Sequence, residues 1–226
     1  MKKSLIATAI LGLATVTSAH ADMVTSNTTF NDAQADNTVQ PFVQLGLGAS
    51  FLSFSNKFLD GLTDDSSVSF GKLENTSAFS QRLTLGMDIG GDRVGLDLTN
   101  FGSLDYKITM NDGDNNVEYP YFGDIKVQTY GLGLSYAHAM QINSIVHPFF
   151  GARIGVTHTD IKFIPAKNIP WTSGEVASNH ASIGGFGGLE FKLSHHITLG
   201  FDGEYDQLWG SKESSAIANA FIRASF

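Results

Sequence analysis

The chain contains no cysteine. That excludes disulfide staples, thiolate metal centres and cysteine nucleophiles together, so packing and backbone pairing must hold the fold. Beyond its first residues it also lacks any run of about 18 consecutive apolar residues, so no transmembrane helix is expected. A membrane location would then require a closed barrel, the other structure that satisfies every backbone polar group in lipid. Cations are scarce: Lys and Arg total 14 against 22 Asp and Glu, a net charge of -8. That balance argues against a nucleic-acid partner.

What is present begins with MKKSLIATAILGLATVTSAHA. Lys2 and Lys3, an apolar stretch from Leu5 to Val16 and the small-residue site Ala19-His20-Ala21 predict a secretory signal peptide over residues 1–21, cleaved after Ala21. Its removal takes two lysines and leaves the mature chain more acidic still. Residues 22–38 are polar and patternless and are expected to form a flexible periplasmic segment. Residues 39–226 have the length of one domain.

In that domain the apolar residues alternate with polar ones at period two, the strand signal. Eight such runs can be read. In the first, Val43, Leu45, Leu47, Ala49 and Phe51 oppose Gln44, Gly46, Gly48 and Ser50. In the second, Phe79, Leu83, Leu85, Met87 and Ile89 oppose Arg82, Thr84, Gly86 and Asp88. A Gly90-Gly91-Asp92 turn then leads to Val94, Leu96 and Leu98 opposite Arg93, Gly95, Asp97 and Thr99, which makes the pair a hairpin. The five later runs, around Leu132, Ile154, Ile183, Phe201 and Ile222, follow the same rule.

Connections alternate between short and long. The short ones lie near Gly91, Gln141 to Ser144 and Ser194 to His196. The long ones span 56–77, 107–123, 160–177 and 209–215. Roughly ten-residue segments, apolar outside and polar inside, with short turns at one rim and long loops at the other, predict an all-β fold: an eight-stranded antiparallel transmembrane β-barrel of the outer-membrane type. The polar face then points inward and carries Arg82, Asp88, Arg93, Asp97, Arg153, Glu190, Asp202, Glu204 and Arg223, a charge network expected to neutralise itself in a packed lumen. Phe42, Phe51, Tyr106, Tyr136, Tyr205 and Phe226 are expected in the interfacial aromatic girdles.

Candidate chemistry is thin. His180 and Ser182 share a strand face with Glu190, but that face points into the barrel, so interior hydrogen bonding is the favoured role and no catalytic residue is assigned. Adjacent His195 and His196 have poor geometry for one metal ion. The NDGDNN stretch holding Asp112 and Asp114 opens like a calcium loop but lacks the closing Glu. No metal site and no cofactor are expected.

Three segments resemble the opacity family of outer-membrane proteins, known from pathogenic Neisseria. RLTLGMDIGGDRVGLDLTNFGSLDYK resembles its second hairpin. HPFFGARIGVTHTD matches its PY-GAR-G--H pattern at Pro148, Phe149, Gly151, Ala152, Arg153, Gly155 and His158. ITLGFDGEYDQLWG resembles its penultimate strand, with Tyr205, Trp209 and Gly210 before the last loop. The resemblance covers residues 78–226 and implies an eight-stranded barrel with mobile outer loops, classed with porins and used as an adhesin by the best-known members. The loops here are acidic, with Asp60, Asp64, Asp65, Asp112, Asp114 and Glu118, so a family ligand does not carry over to particular residues.

The expected function is that of a non-enzymatic surface barrel which recognises host or environmental ligands through its loops and helps build the outer membrane. A small-solute or ion porin and a lipid-modifying enzyme are the alternatives. Expected partners are outer-membrane lipid and lipopolysaccharide, and barrel-assembly machinery reading the terminal Phe226.

Overall fold

A computed structural model of the chain describes residues 39–53, 68–70, 77–112, 117–142, 145–167, 172–209 and 214–226. The signal peptide, the 22–38 segment and loop residues Asp60, Asp64, Asp65 and Asp114 lie outside the described residues, as do the side chains of Asp112 and Glu118. Among the described residues all regular structure is strand: β1 (Val39–Ser53), β2 (Val68–Phe70), β3 (Ser77–Ile89), β4 (Asp92–Asp112), β5 (Val117–Ala139), β6 (Val146–Pro165), β7 (Gly174–Lys192), β8 (Ile197–Trp209) and β9 (Ser214–Ser225).

Eight of these close a ring. β1 pairs with both β3 and β9, and the antiparallel ladder runs on through β4, β5, β6, β7 and β8 back to β9. Closure leaves no edge in the barrel wall. The ninth strand, β2, pairs with Met110–Asp112 of β4. It falls inside the expected 56–77 loop, where three residues are too few for a periodic signal.

Three glycines shape the β3–β4–β5 wall. Gly90 and Gly91 have φ of 63° and 99° and form the two-residue turn between β3 and β4. Positive φ at both central residues matches the twist of the hairpin, and the Gly91 N–H donates to Asp88 Oδ1 at 3.0 Å. At Gly102, φ is 88° and the register with β5 shifts by one residue; its N–H donates to Asn100 Oδ1 at 3.0 Å. The extra residue is a β-bulge, and it inverts the parity of everything after it in β4.

That inversion corrects one expectation. Tyr106 is not in an aromatic girdle; it is 3% exposed and faces inward, as do Phe101 before the bulge and Leu104 after it. Phe42 is a second correction. It shares the even-numbered, inward face of β1 with Gly46 and Ser50, and its ring lies under the Arg223 guanidinium, 5.6 Å from carbon to ring centre. Phe51, Tyr136, Tyr205 and Phe226 point outward.

The strands are also longer than the apolar alternation. β4 and β5 run through most of the expected 107–123 loop, and β6 and β7 through much of 160–177. In β5 the parity stays constant while the polarity reverses. Between Tyr130 and Tyr136 the outward residues are apolar and the inward ones are Gly131, Gly133 and Ser135. Toward the loop end, Lys126 and Gln128 face outward while Ile125 and Val127 are buried inward. β6 reverses at the same level, with Val156 outward below and Asp160 and Lys162 outward above. The reversal marks where the wall leaves an apolar surround and enters water. On the β4–β7 side it therefore stands as a sheet beyond the apolar belt.

Candidate functional site

Alternation turns charged side chains of β3, β4, β6, β7, β8 and β9 into one lumen, and there they sort into two layers. The layer nearer the loop end is built on Arg82 and Arg153. Arg82 Nη2 meets Glu204 Oε2 at 2.5 Å, Nη1 meets Asp202 Oδ1 at 3.8 Å, and Nε donates to Thr99 Oγ1 at 3.3 Å. Arg153 Nε donates to Asp97 Oδ2 at 3.0 Å, and Nη1 pairs with Glu204 Oε1. Thr84 Oγ1 donates to Asp97 Oδ1 at 2.5 Å, and Asn219 Nδ2 to Asp202 Oδ1 at 3.2 Å. Asp206, buried and accepting from Ser215 Oγ at 3.4 Å, adds a fourth carboxylate. It lies on the inward face of the β8 run but was not assigned to the network from the sequence.

The layer nearer the turn end has one acid between two arginines. Arg93 Nη1 donates to Glu190 Oε2 at 2.7 Å, and Arg223 Nη2 reaches the same oxygen at 3.1 Å. Asp88 does not join them; its carboxylate caps the turn at Gly91, because it is the penultimate residue of β3. Three arginines stack on inward rings: Arg93 over Phe149 at 5.1 Å, Arg153 over Phe186 at 5.4 Å and Arg223 over Phe42. Burial against ring faces strengthens such contacts.

Among the charges the lumen is packed with apolar side chains. Ala137, Ala139, Phe149 and Phe221 form a buried cluster with Phe186 packed on it, and Phe149 meets Phe221 edge-on at 5.8 Å. Glycines leave room for these rings: Phe42 lies against Gly86, Phe186 against Gly151 and Phe221 against Gly200. The lumen is thus filled by side chains from wall to wall around a cavity of about 40 Å³.

The other candidates do not assemble. His180 Nε2 lies 3.0 Å from Ser178 Oγ, while Glu190 sits in the turn-end layer held by two arginines. Ser182 and Glu190 are eight residues apart on one strand, roughly 26 Å at strand rise. His196 Nδ1 is 3.0 Å from the Ser225 carbonyl oxygen. Phe226 faces outward at the turn end, where its N–H donates to Pro41 O at 2.9 Å and ties the last residue to the first strand. At the same rim Asp92, below the lowest outward apolar residue of β4, accepts from the Tyr136 hydroxyl at 2.6 Å and lies 2.8 Å from His138 Nδ1.

Comparison with known proteins agrees with this architecture. The fold is similar to that of neisserial surface protein A, NspA, at 18% identity over 82% of this chain and 97% of that one, with a TM-score of 0.53. It is similar to the outer membrane protein OprG of Pseudomonas aeruginosa at 15% identity, covering 83% and 96%, with a TM-score of 0.52. No curated protein matches in sequence. The family model described as Opacity family porin protein matches residues 85–226, more than half of the chain. A closed eight-stranded barrel with a charged, filled lumen and this family match lead to one assignment: the chain belongs to the Opacity family of outer-membrane β-barrel proteins.

Proposed function

We propose that this protein is a surface-recognition barrel, in which a sealed membrane anchor holds the β4–β7 wall and its connecting loops outside the cell to contact host or environmental ligands. The observation that carries this reading is the filled lumen. Two buried ion-pair layers and a phenylalanine cluster occupy the path that a pore would need. A barrel of eight strands has an interior only wide enough for side chains. The height of the wall on one side supports the same reading, since strands that continue past the apolar belt present a stiff, polar surface rather than a flexible tip. A structural role in the outer membrane accompanies recognition.

Export through the N-terminal signal, contact with lipopolysaccharide around the wall and handover by barrel-assembly machinery at Phe226 complete the proposal. Its outward aromatic ring beside the start of β1 supports a readable end signal.

Two measurements test it. Replacing residues 104–125 and 160–177 with short turns is expected to abolish binding of expressing cells to host cells or matrix while the barrel still folds. Planar-bilayer recording of the intact protein is expected to show no large, stable conductance. Unchanged binding by the shortened barrel would sink the recognition reading, and steady solute-permissive channels would put the porin reading in its place.

A further inference from the structure

The two lumen layers are not balanced in the same way. Nearer the loop end, Asp97, Asp202, Glu204 and Asp206 face Arg82 and Arg153, so negative charge is in surplus. Nearer the turn end, Arg93 and Arg223 converge on the single oxygen Glu190 Oε2. Asp88, the other acid on that side, is spent on the turn. The guanidinium donors here outnumber the carboxylate oxygens that reach them. Arg93 is 5% exposed and Arg223 2%, and each keeps N–H groups without an acceptor among the described residues: Nε and Nη2 of Arg93, and Nε and Nη1 of Arg223. Stacking on Phe149 and Phe42 occupies the faces of the guanidiniums and leaves these edges free. Buried charged donors are costly without a partner of opposite charge.

Arg93 borders the lumen cavity, whose other walls include Gln44, Arg82, Arg153 and Asp202. Its volume, about 40 Å³, exceeds the roughly 10–15 Å³ that one water requires, and is small for a hydrated oxyanion. The two carboxylates on its lining are already held, Asp97 by Arg153 and Thr84, Asp202 by Arg82 and Asn219. The free donors therefore lie at the Arg93 end.

We infer that this cavity is a binding site for a monovalent anion of the halide class, held against the Nε and Nη2 edge of Arg93 with the Gln44 amide beside it. The ion supplies the acceptor that the shared Glu190 oxygen does not provide for these donors, and it bridges the turn-end layer to the cavity. The inference concerns the anchor alone and does not depend on what the outer wall recognises.

The test uses the full mature barrel purified in detergent, melted in sodium chloride, sodium bromide and sodium gluconate at equal ionic strength. Both halides are expected to raise Tm by about 2–5 °C over gluconate. Crystals soaked in bromide should show an anomalous peak beside Arg93. Arg93→Lys keeps the charge but removes the paired donors, so the halide increment should vanish, whereas Lys126→Met on the outer wall should retain it. Equal melting in the three salts overturns the inference, as does bromide density confined to the surface or an Arg93→Lys variant with the full increment. If that variant does not fold, the salt series and the bromide map decide.

Discussion

The two charge layers of the lumen use the same residue types to different effect. The layer near the loop end is redundant: two arginines pair with three carboxylates, Asp206 adds a fourth, and threonine, serine and asparagine side chains add hydrogen bonds. The turn-end layer is singular, because among the described residues the carboxylate that contacts both of its arginines is that of Glu190 alone and the faces of their guanidiniums lie on rings. A buried ion pair adds little net stability over a well-packed apolar core, but removing one partner strands the other in low dielectric. The difference teaches that the consequence of losing a carboxylate here is set by how many others can replace it.

Glu190→Ala should therefore give the largest effect. Two guanidiniums lose their only carboxylate, and the expected loss is about 3–5 kcal/mol of unfolding free energy by urea titration in lipid vesicles. Glu204→Ala removes an acid of similar burial from the redundant layer, where Asp97 and Asp202 still engage both arginines, and should cost about 1–3 kcal/mol. Equal losses for the two variants would break the comparison. Between them in size lies a packing change: a methyl added at Gly200 intrudes on the Phe221 ring beside the turn-end layer. Gly200→Ala is expected to cost about 1–3 kcal/mol, toward the upper end because Phe149 and Phe186 leave the ring nowhere to move. A double variant with Phe221→Leu should recover part of that loss; no recovery would place the strain in the backbone instead.

Much of this arrangement was legible in the sequence, and the missing parts have physical causes. Period-two alternation assigned the inward faces of β3, β8 and β9 residue by residue, since in lipid the outward face must be apolar and a one-residue slip would bury charges in hydrocarbon. It stopped at Tyr130 and Val156 because the wall crosses from lipid to water there and its polarity inverts: Ile125, Val127 and Ile161 turn inward while Lys126 and Lys162 turn outward. A strand that changes solvent looks like the end of a strand. Tyr106 was misplaced because the bulge at Gly102 shifts parity, and a single glycine in a run rich in glycine carries no mark of positive φ. The partners within the lumen were not legible either. Arg93 and Glu190 stand 97 positions apart, and only strand stagger around a closed ring brings them together.

The weaker predictions sharpen the contrast from its other side. Asp206→Asn removes a carboxylate from a layer that has one to spare, and its hydrogen bond from Ser215 can be kept by the amide oxygen. The stability change should stay within about 1 kcal/mol, and a gain is compatible with relief of surplus negative charge. A loss as large as that of Glu190→Ala would show that the outer layer is as singular as the inner one.

The smallest effect is expected outside both layers, at the exposed rim cluster. The Tyr136 hydroxyl, and after it His138, hold the Asp92 carboxyl below the usual carboxylate range. For an acid whose folded pKa is depressed, the stabilising contribution is present above the unfolded pKa and is lost as pH falls through the folded one. Urea midpoints of the wild type should therefore decline slightly more than those of Asp92→Asn as pH falls from about 5 to about 2. Subtracting the two curves isolates Asp92. Because the cluster is open to water, the difference should shrink further in high salt, whereas the cost of Glu190→Ala should persist. A salt-insensitive rim and a salt-sensitive lumen would reverse the assignment of which charges the barrel buries.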